Sequence, residues 1–254
     1  MQNLKQKIAL NRKKLLATLR SGDYAHAGEE EAIEIAFERI QKDPKQRLLD
    51  VGCGLGGTAE YLRKNKWGIV TGIDIDATMV SYAKTHYPNI SVFECDATKI
   101  GRLFPKESFE VVYSFNAFFT FEQQEAALKA LSTICVASAK LVLFDYSAQN
   151  QTPHTNPFTN KMPSYPMNFF PIQLDSFSET LSRNGWKLEE VKDLSLKYVH
   201  WYTHLISKME SDRTNLVSQF GDDTFSGLIE SYQKLLSLLQ AGEVGGSVVW
   251  ASRR

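Results

Sequence analysis

No charge of either sign predominates in this 254-residue chain, in which 29 lysines and arginines face 29 aspartates and glutamates. A neutral chain has no bulk field to gather nucleic acid, so a small-molecule partner is the default expectation. Long apolar runs are also missing, and nothing reads as a cleaved leader or a membrane span. Cysteine is scarce: Cys53, Cys95 and Cys135 are odd in number and lack metal-ligand spacing, which argues against a disulfide framework or a bound metal and suits a reduced, cytoplasmic protein. Proline is sparse except between Ala148 and Pro171, where five of the eight prolines fall among Asn, Thr and Gln. That stretch reads as a loop over the surface, of the kind that covers sites.

The chain is 43% hydrophobic and 23% charged, enough for one full core, and no internal repeat or clean boundary divides it. Leu4, Ile8, Leu15, Leu16 and Leu19 recur at helical spacing among lysines and arginines, predicting a basic amphipathic helix packed on the domain. A second helix begins at the glutamates from Glu29, which suit the positive end of a helix dipole, and ends at Asp43-Pro44. Short apolar runs then alternate with helical patterns: RLLDV, GIVTGIDI, ISVFECD, FEVVYSF and KLVLFDYS as strands, TAEYLRKN, TMVSYAKTH and EQQEAALKALSTI as helices. Such alternation predicts an α/β fold with a doubly wound, mostly parallel sheet. Beyond the loop come a helix near Asp175 closed by Gly185, a strand WKLEEVKDLS, two long helices (196–220 and 225–240) and a last strand GSVVWASRR.

The stretch RLLDVGCGLGG feeds a strand into a glycine-rich turn and a helix, an arrangement that brings bare backbone and free N–H groups to a nucleotide-like ligand. Gly52, Gly54, Gly56 and Gly57 satisfy both G-x-G-x-G and G-x-G-x-x-G, so spacing alone does not separate dinucleotides from S-adenosylmethionine. Asp50 separates them. A carboxylate two positions before the first glycine repels a pyrophosphate and attracts the ammonium and sulfonium of S-adenosylmethionine, although a turn-proximal Asp can also serve local backbone N–H groups. Asp74 ends the second strand about twenty residues on, where an acid accepts ribose hydroxyls; as a helix cap it is bettered by Asp76. Asp96, at the end of the third strand, suits the adenine amino group with the Ala97 N–H beside it, or is an ordinary turn acid. All three lie along the edge where open α/β sheets bind ligands.

Through LLDVGCGLGG, VTGIDI, FECDAT and FEVVYSFNA, the segment from Tyr24 to Ser147 resembles class I S-adenosylmethionine-dependent methyltransferases. The GLGG turn and the long helices before the final strand resemble the branch of phosphoethanolamine and sarcosine/dimethylglycine N-methyltransferases. The resemblance implies a Rossmann-like seven-stranded sheet with an N-terminal helical lid (1–42), a cofactor-binding core (43–147), a loop and helical substrate-covering insertion (148–243) and a last strand (244–254). It implies S-adenosyl-L-methionine as cofactor, contacted by Tyr24 and His26 in the lid segment SGDYAHAGEE, by Asp50, Gly52, Gly54 and Gly56, by Asp74 and Ile75, and by Asp96 and Ala97. It also implies a small-molecule methyl acceptor, with N-methylation preferred to O-methylation.

The sequence departs from that branch in two places. Where the phosphoethanolamine enzymes carry SRDxxxH with a catalytic histidine, SFNAFFT puts Asn116 and Thr120; and SYPMNFFPIQ lacks the arginine that holds substrate phosphate. Candidate bases or orienting groups are therefore Tyr24, His26, Asn116, Asp145, Tyr146, His154, His200 and His204, each also readable as an ordinary buried or surface residue. In KYVHWYTHLISKME, Tyr198, Trp201, Tyr202 and Leu205 share one helical face and His200 and His204 another, so one face at most lines a given pocket. Cys53 reads as a small buried filler. The rival readings are a nucleotide-dependent oxidoreductase on the same glycines, and a protein that binds S-adenosylmethionine without transferring methyl.

Overall fold

A computed structural model describes residues 2–20, 22–148 and 168–254, with side chains from residue 8 onward. Eight strands form one sheet in the order β3-β2-β1-β4-β5-β8-β7, with β6 (Ile172–Gln173) pairing β5 off that path. The strands β1 (Arg47–Val51), β2 (Ile69–Asp74), β3 (Ser91–Glu94), β4 (Phe109–Phe115) and β5 (Cys135–Ala148) run parallel. The last strand, β8 (Gly245–Arg253), inserts antiparallel between β5 and β7 (Trp186–Asp193). Beyond the seven expected strands, the addition is the two-residue β6.

Period-two alternation sorts the strand side chains into two cores. Leu48, Tyr113, Phe115, Phe144 and Trp250 point to one face, and Leu49, Val112, Leu141, Leu143 and Val249 to the other. The first face also carries residues of α1 (Gln2–Leu19), α2 (Glu29–Phe37), α3 (Gly57–Lys64), α4 (Ala77–His86), α7 (Ser195–Ser211), α8 (Arg213–Phe220) and α9 (Asp222–Gln240). The second carries α5 (Gln124–Thr133) and α6 (Leu174–Arg183). Two buried indoles tie helices to the sheet: Trp250 donates to Ala36 O at 2.8 Å and Trp186 to Leu128 O at 2.9 Å.

The helix expected over 196–220 is two helices, broken at Asp212, where the backbone leaves the helical region (φ −106°, ψ 16°). The sequence also hid two 3-10 turns, Ala97–Arg102 after β3 and Phe118–Thr120 after β4. Strand order reverses between β1 and β4, and there the connections diverge to open a crevice at the carboxyl ends. The glycine loop after β1 and Asn116 after β4 both stand at this edge.

Candidate active site

The glycine loop is built on left-handed backbone: φ is +79° at Gly52, +54° at Gly54 and +92° at Gly56, values that favour glycine. What the missing Cβ atoms make room for differs along the loop. At Gly52 a Cβ would stand 2.5 Å from the Ala117 Cβ, at Gly56 3.0 Å from the Tyr87 ring, and at Gly57 2.5 Å from the Asp23 carbonyl oxygen. These three glycines admit other parts of the chain. Gly54 differs, because apart from its chain neighbours only the end of the Lys13 side chain comes within 4 Å of its Cβ position.

The acids surround that open space. Asp74, 9% exposed, accepts from Gly54 N (2.8 Å) through Oδ2 and from Asp76 N (2.9 Å) through Oδ1, so it fixes the loop. Asp76 caps α4 by accepting from Thr78 N at 2.8 Å. Asp96 starts the first 3-10 turn, accepting from Thr98 N (2.9 Å) and Thr98 Oγ1 (2.8 Å), with Lys99 Nζ 3.4 Å from its other oxygen. Against the upward push of partial burial, those Thr98 and Lys99 contacts hold its carboxyl below the usual range. Ile75 exposes its side chain beside Asp74, and Ala97 is buried.

Asp50 is the anomaly. It is 2% exposed, and its Oδ2 has no hydrogen-bond partner among the described residues; nor has the neighbouring buried Tyr113 hydroxyl. Burial pushes its carboxyl up to about 8; the Tyr113 hydroxyl beside it opposes the rise, the Asp74 carboxylate adds to it and Lys13 opposes it. An acid buried beside bare backbone fits a ligand whose cationic group draws it into its ionised form, and in that form it would repel a pyrophosphate. The residues present therefore fit S-adenosylmethionine. Cys53, in the same loop, is buried, and burial raises its thiol pKa well above the ordinary value, which leaves it unreactive.

The segment after α1 closes over this loop. Asp23 accepts from the Tyr87 hydroxyl at 2.6 Å while its backbone lies on Gly57. Tyr24 is buried and donates to Glu30 at 3.2 Å; burial, followed by Glu30, raises its hydroxyl pKa, so Tyr24 is no ready base. His26 packs against Phe115 with ring centroids 4.7 Å apart. Its Nδ1 lies 3.0 Å from Ala27 O and its Nε2 3.0 Å from Thr58 Oγ1 in the first turn of α3. Burial lowers its pKa to about 3, so the ring is neutral, with Nδ1–H donating and Nε2 accepting. His26 thus latches the lid to the loop.

Asn116 stands behind the loop at φ +43°. Its Oδ1 accepts from Ala27 N at 3.2 Å and its Nδ2 donates to the Tyr198 hydroxyl at 3.2 Å. Asp145, fully buried, supports this corner by accepting from Phe119 N (3.2 Å) and Tyr146 N (2.7 Å); burial pushes its carboxyl up to about 7. The Tyr146 and Tyr202 hydroxyls bond to one another, and Tyr202 stacks on Tyr232 with centroids 5.3 Å apart. Arg12 and Arg20 are buried here, 6% and 8% exposed. Burial pushes the Tyr232 hydroxyl up, and the facing guanidinium groups of Arg20 and Arg12 act in the opposite sense.

Residues 49–143 match the family model described as a methyltransferase domain. Over those residues the chain is similar to methyltransferase domains, the likeness that its glycine loop and sheet order share. It is 23% identical over 210 residues to phosphoethanolamine N-methyltransferase 3 of Arabidopsis thaliana, an alignment covering 81% of this chain and 42% of that protein. The chain thus spans less than half of that relative's length. Among solved structures it is similar to phosphoethanolamine N-methyltransferase 2 of Haemonchus contortus in complex with phosphomonomethylethanolamine and S-adenosylhomocysteine (TM-score 0.79, 17% identity, 95% of this chain and 56% of that one). It is equally similar in fold to a cyclopropane synthase of Mycobacterium tuberculosis (TM-score 0.80, 14% identity, 96% and 94%).

Within the site the candidate groups separate. Asn116, Asp145, Tyr146 and Tyr198 converge, and on α7 the tyrosine face turns inward. His200 and His204 are exposed; together with Trp201, Tyr202 and Leu205 they line one open groove of about 390 Å³ with Arg20, Glu29 to Glu31 and Lys208, so both faces of α7 border the same groove, against the expectation that one face at most lines a given pocket. They do not join the buried cluster. His154 lies outside the described residues. Sequence reasoning missed Lys13, Arg12, Arg20, Thr58 and Tyr232. The one legible signal was that Arg12, Leu16 and Arg20, four residues apart, share a helical face with leucines, a placement unlike solvated basic residues. Among the described residues no helix is long and apolar enough to cross a membrane, and no group of three His, Cys, Asp or Glu side chains converges as a metal site.

Proposed function

We propose that the protein transfers a methyl group from S-adenosylmethionine to a small-molecule acceptor, and that the acceptor is an amine. The observation that carries the transfer reading is Asp50: a carboxyl group buried beside the Tyr113 hydroxyl at the end of β1, next to the glycine loop at the strand-order switch. The cofactor, when bound, supplies an electrophilic methyl on a sulfonium. The protein's share is to align donor and acceptor and exclude water. The lid, held by His26 and Asp23, excludes water; Asn116, fixed by Ala27 N and Tyr198, offers an amide at the junction of loop and tyrosine cluster. Two features favour an amine. Aromatic faces of Tyr146, Tyr198 and Tyr202 suit a nitrogen that gains permanent charge, and six of the curated relatives are named phosphoethanolamine N-methyltransferases, against one named an O-methyltransferase. On this reading the chain works as one unit, residues 1–42 closing the core at 43–147.

Titration of the purified protein with S-adenosylhomocysteine, with NAD in parallel, tests the cofactor. Binding of the first alone is the expected result, and preference for NAD overturns the reading in favour of an oxidoreductase. A screen of small amines for methylated product with release of S-adenosylhomocysteine then tests transfer. Binding without any product would leave a cofactor-binding protein, the reading that the absent histidine favours.

A further inference from the structure

The apolar side of α1 accounts for its packing, but not for Lys13. Arg12 turns toward Tyr232 on α9, and Lys14 lies over the Tyr82 ring on α4, 5.5 Å from its centroid. Lys13, between them, reaches into the mouth of the glycine loop. Its Nζ is 2.9 Å from the Cβ position of Gly54, in space that is otherwise open. It also acts electrostatically on Asp50 and Cys53. A compact, strongly hydrated ammonium held over bare backbone beside Asp50 and Asp74 needs a reason.

The ligand assigned above brings one. The methionine part of S-adenosylmethionine is zwitterionic: its ammonium suits Asp50, but its carboxylate meets the like charges of Asp50 and Asp74 unless a cation stands beside it. We propose that Lys13 is a cofactor-binding residue whose ammonium neutralises that carboxylate, so that α1 forms part of the cofactor site and not only its cover. The proposal rests on the cofactor reading given above. It also gives a reason for the rotation of α1, which sends Lys13 to the glycine loop while Arg12 and Arg20 face the tyrosine cluster.

Calorimetry on the full chain tests it with two probes: S-adenosylhomocysteine, and its decarboxylated analogue, which keeps the ammonium and lacks the carboxylate. Lys13→Ala is expected to weaken S-adenosylhomocysteine binding about 10- to 100-fold, the range of a charge-assisted hydrogen bond. It should change affinity for the decarboxylated analogue by less than about threefold, so the wild-type preference for the carboxylate collapses. Lys13→Arg is expected to restore most of that preference. Equal loss for both probes overturns the proposal in favour of a structural role, and tighter binding of S-adenosylhomocysteine would make Lys13 a plug that the cofactor displaces. Thermal melting of each variant identifies misfolding, in which case Lys13→Met, with a similar apolar stem, replaces Lys13→Ala. A wild-type protein that binds neither probe defeats the cofactor reading itself; wild-type binding with Lys13→Ala unchanged defeats only this assignment.

Discussion

Asp50 makes a proton part of the binding equilibrium. With its carboxyl pushed up to about 8, it is largely protonated at pH 7 in the ligand-free protein, and a ligand ammonium placed beside it favours the ionised form. Binding of S-adenosylhomocysteine should therefore release a proton below pH 8 and tighten as pH rises from 6 to 8. Titrations in two buffers of different ionisation enthalpy will measure this, and Asp50→Asn should abolish the release and weaken binding about 10- to 100-fold. Asp74 has a different duty, since both its oxygens hold backbone N–H groups. Asp74→Ala frees Gly54 and should weaken binding by at least about tenfold, and unchanged affinity would remove the ribose assignment. At this scale the sequence was readable where a residue's place follows from chain position: Asp50, Gly54 and Asp74 stand at the carboxyl edge of the sheet, and Asp76 caps α4 as expected. It was unreadable for Lys13 and Tyr232, which meet their partners only after α1 and α9 have packed on the sheet.

Among the elements, the lid is held by few contacts of high consequence. His26 bonds to Thr58, Asp23 to Tyr87, and the Asp23 backbone rests on Gly57 with no space for a methyl. Gly57→Ala should lift the lid, costing about 1–3 kcal/mol and exposing residues 20–28 to limited proteolysis, while the sheet's circular dichroism is kept. His26→Phe keeps the packing on Phe115 but loses the bond to Thr58, and should loosen the same segment without a large change in global stability. The strands and most helices were legible because period-two and period-3.6 apolar patterns are local. The break at Asp212 was not, since no glycine or proline marks it and a polar run of six residues (210–215) reads as a solvated helix face; the 3-10 turns are too short to show a period.

For the molecule as a whole, three buried titratable groups set opposing pH trends. Asp50 and Asp145 are raised in the fold, so each contributes stability that is full below the unfolded carboxyl range and is lost as pH rises, to about 8 and about 7 respectively. His26 is lowered, so its contribution is present above 6.5 and is lost as pH falls toward 3. Between pH 6.5 and 8 only the carboxyl trend remains. The ligand-free protein should lose about 2 kcal/mol over that interval, a fall of about 5 °C in melting temperature, and Asp50→Asn should remove most of it.

The lid latch has one further consequence. Its bonds run from residues 23–26 to the start of α3 and to Tyr87 after α4, over the glycine loop. On the proposed function every catalytic cycle then includes an opening of this door, whatever the acceptor. Where that opening sets the rate, acceptors of very different nucleophilicity would share a similar maximal rate, and a mild denaturant dose that weakens the door before the sheet would accelerate the cycle.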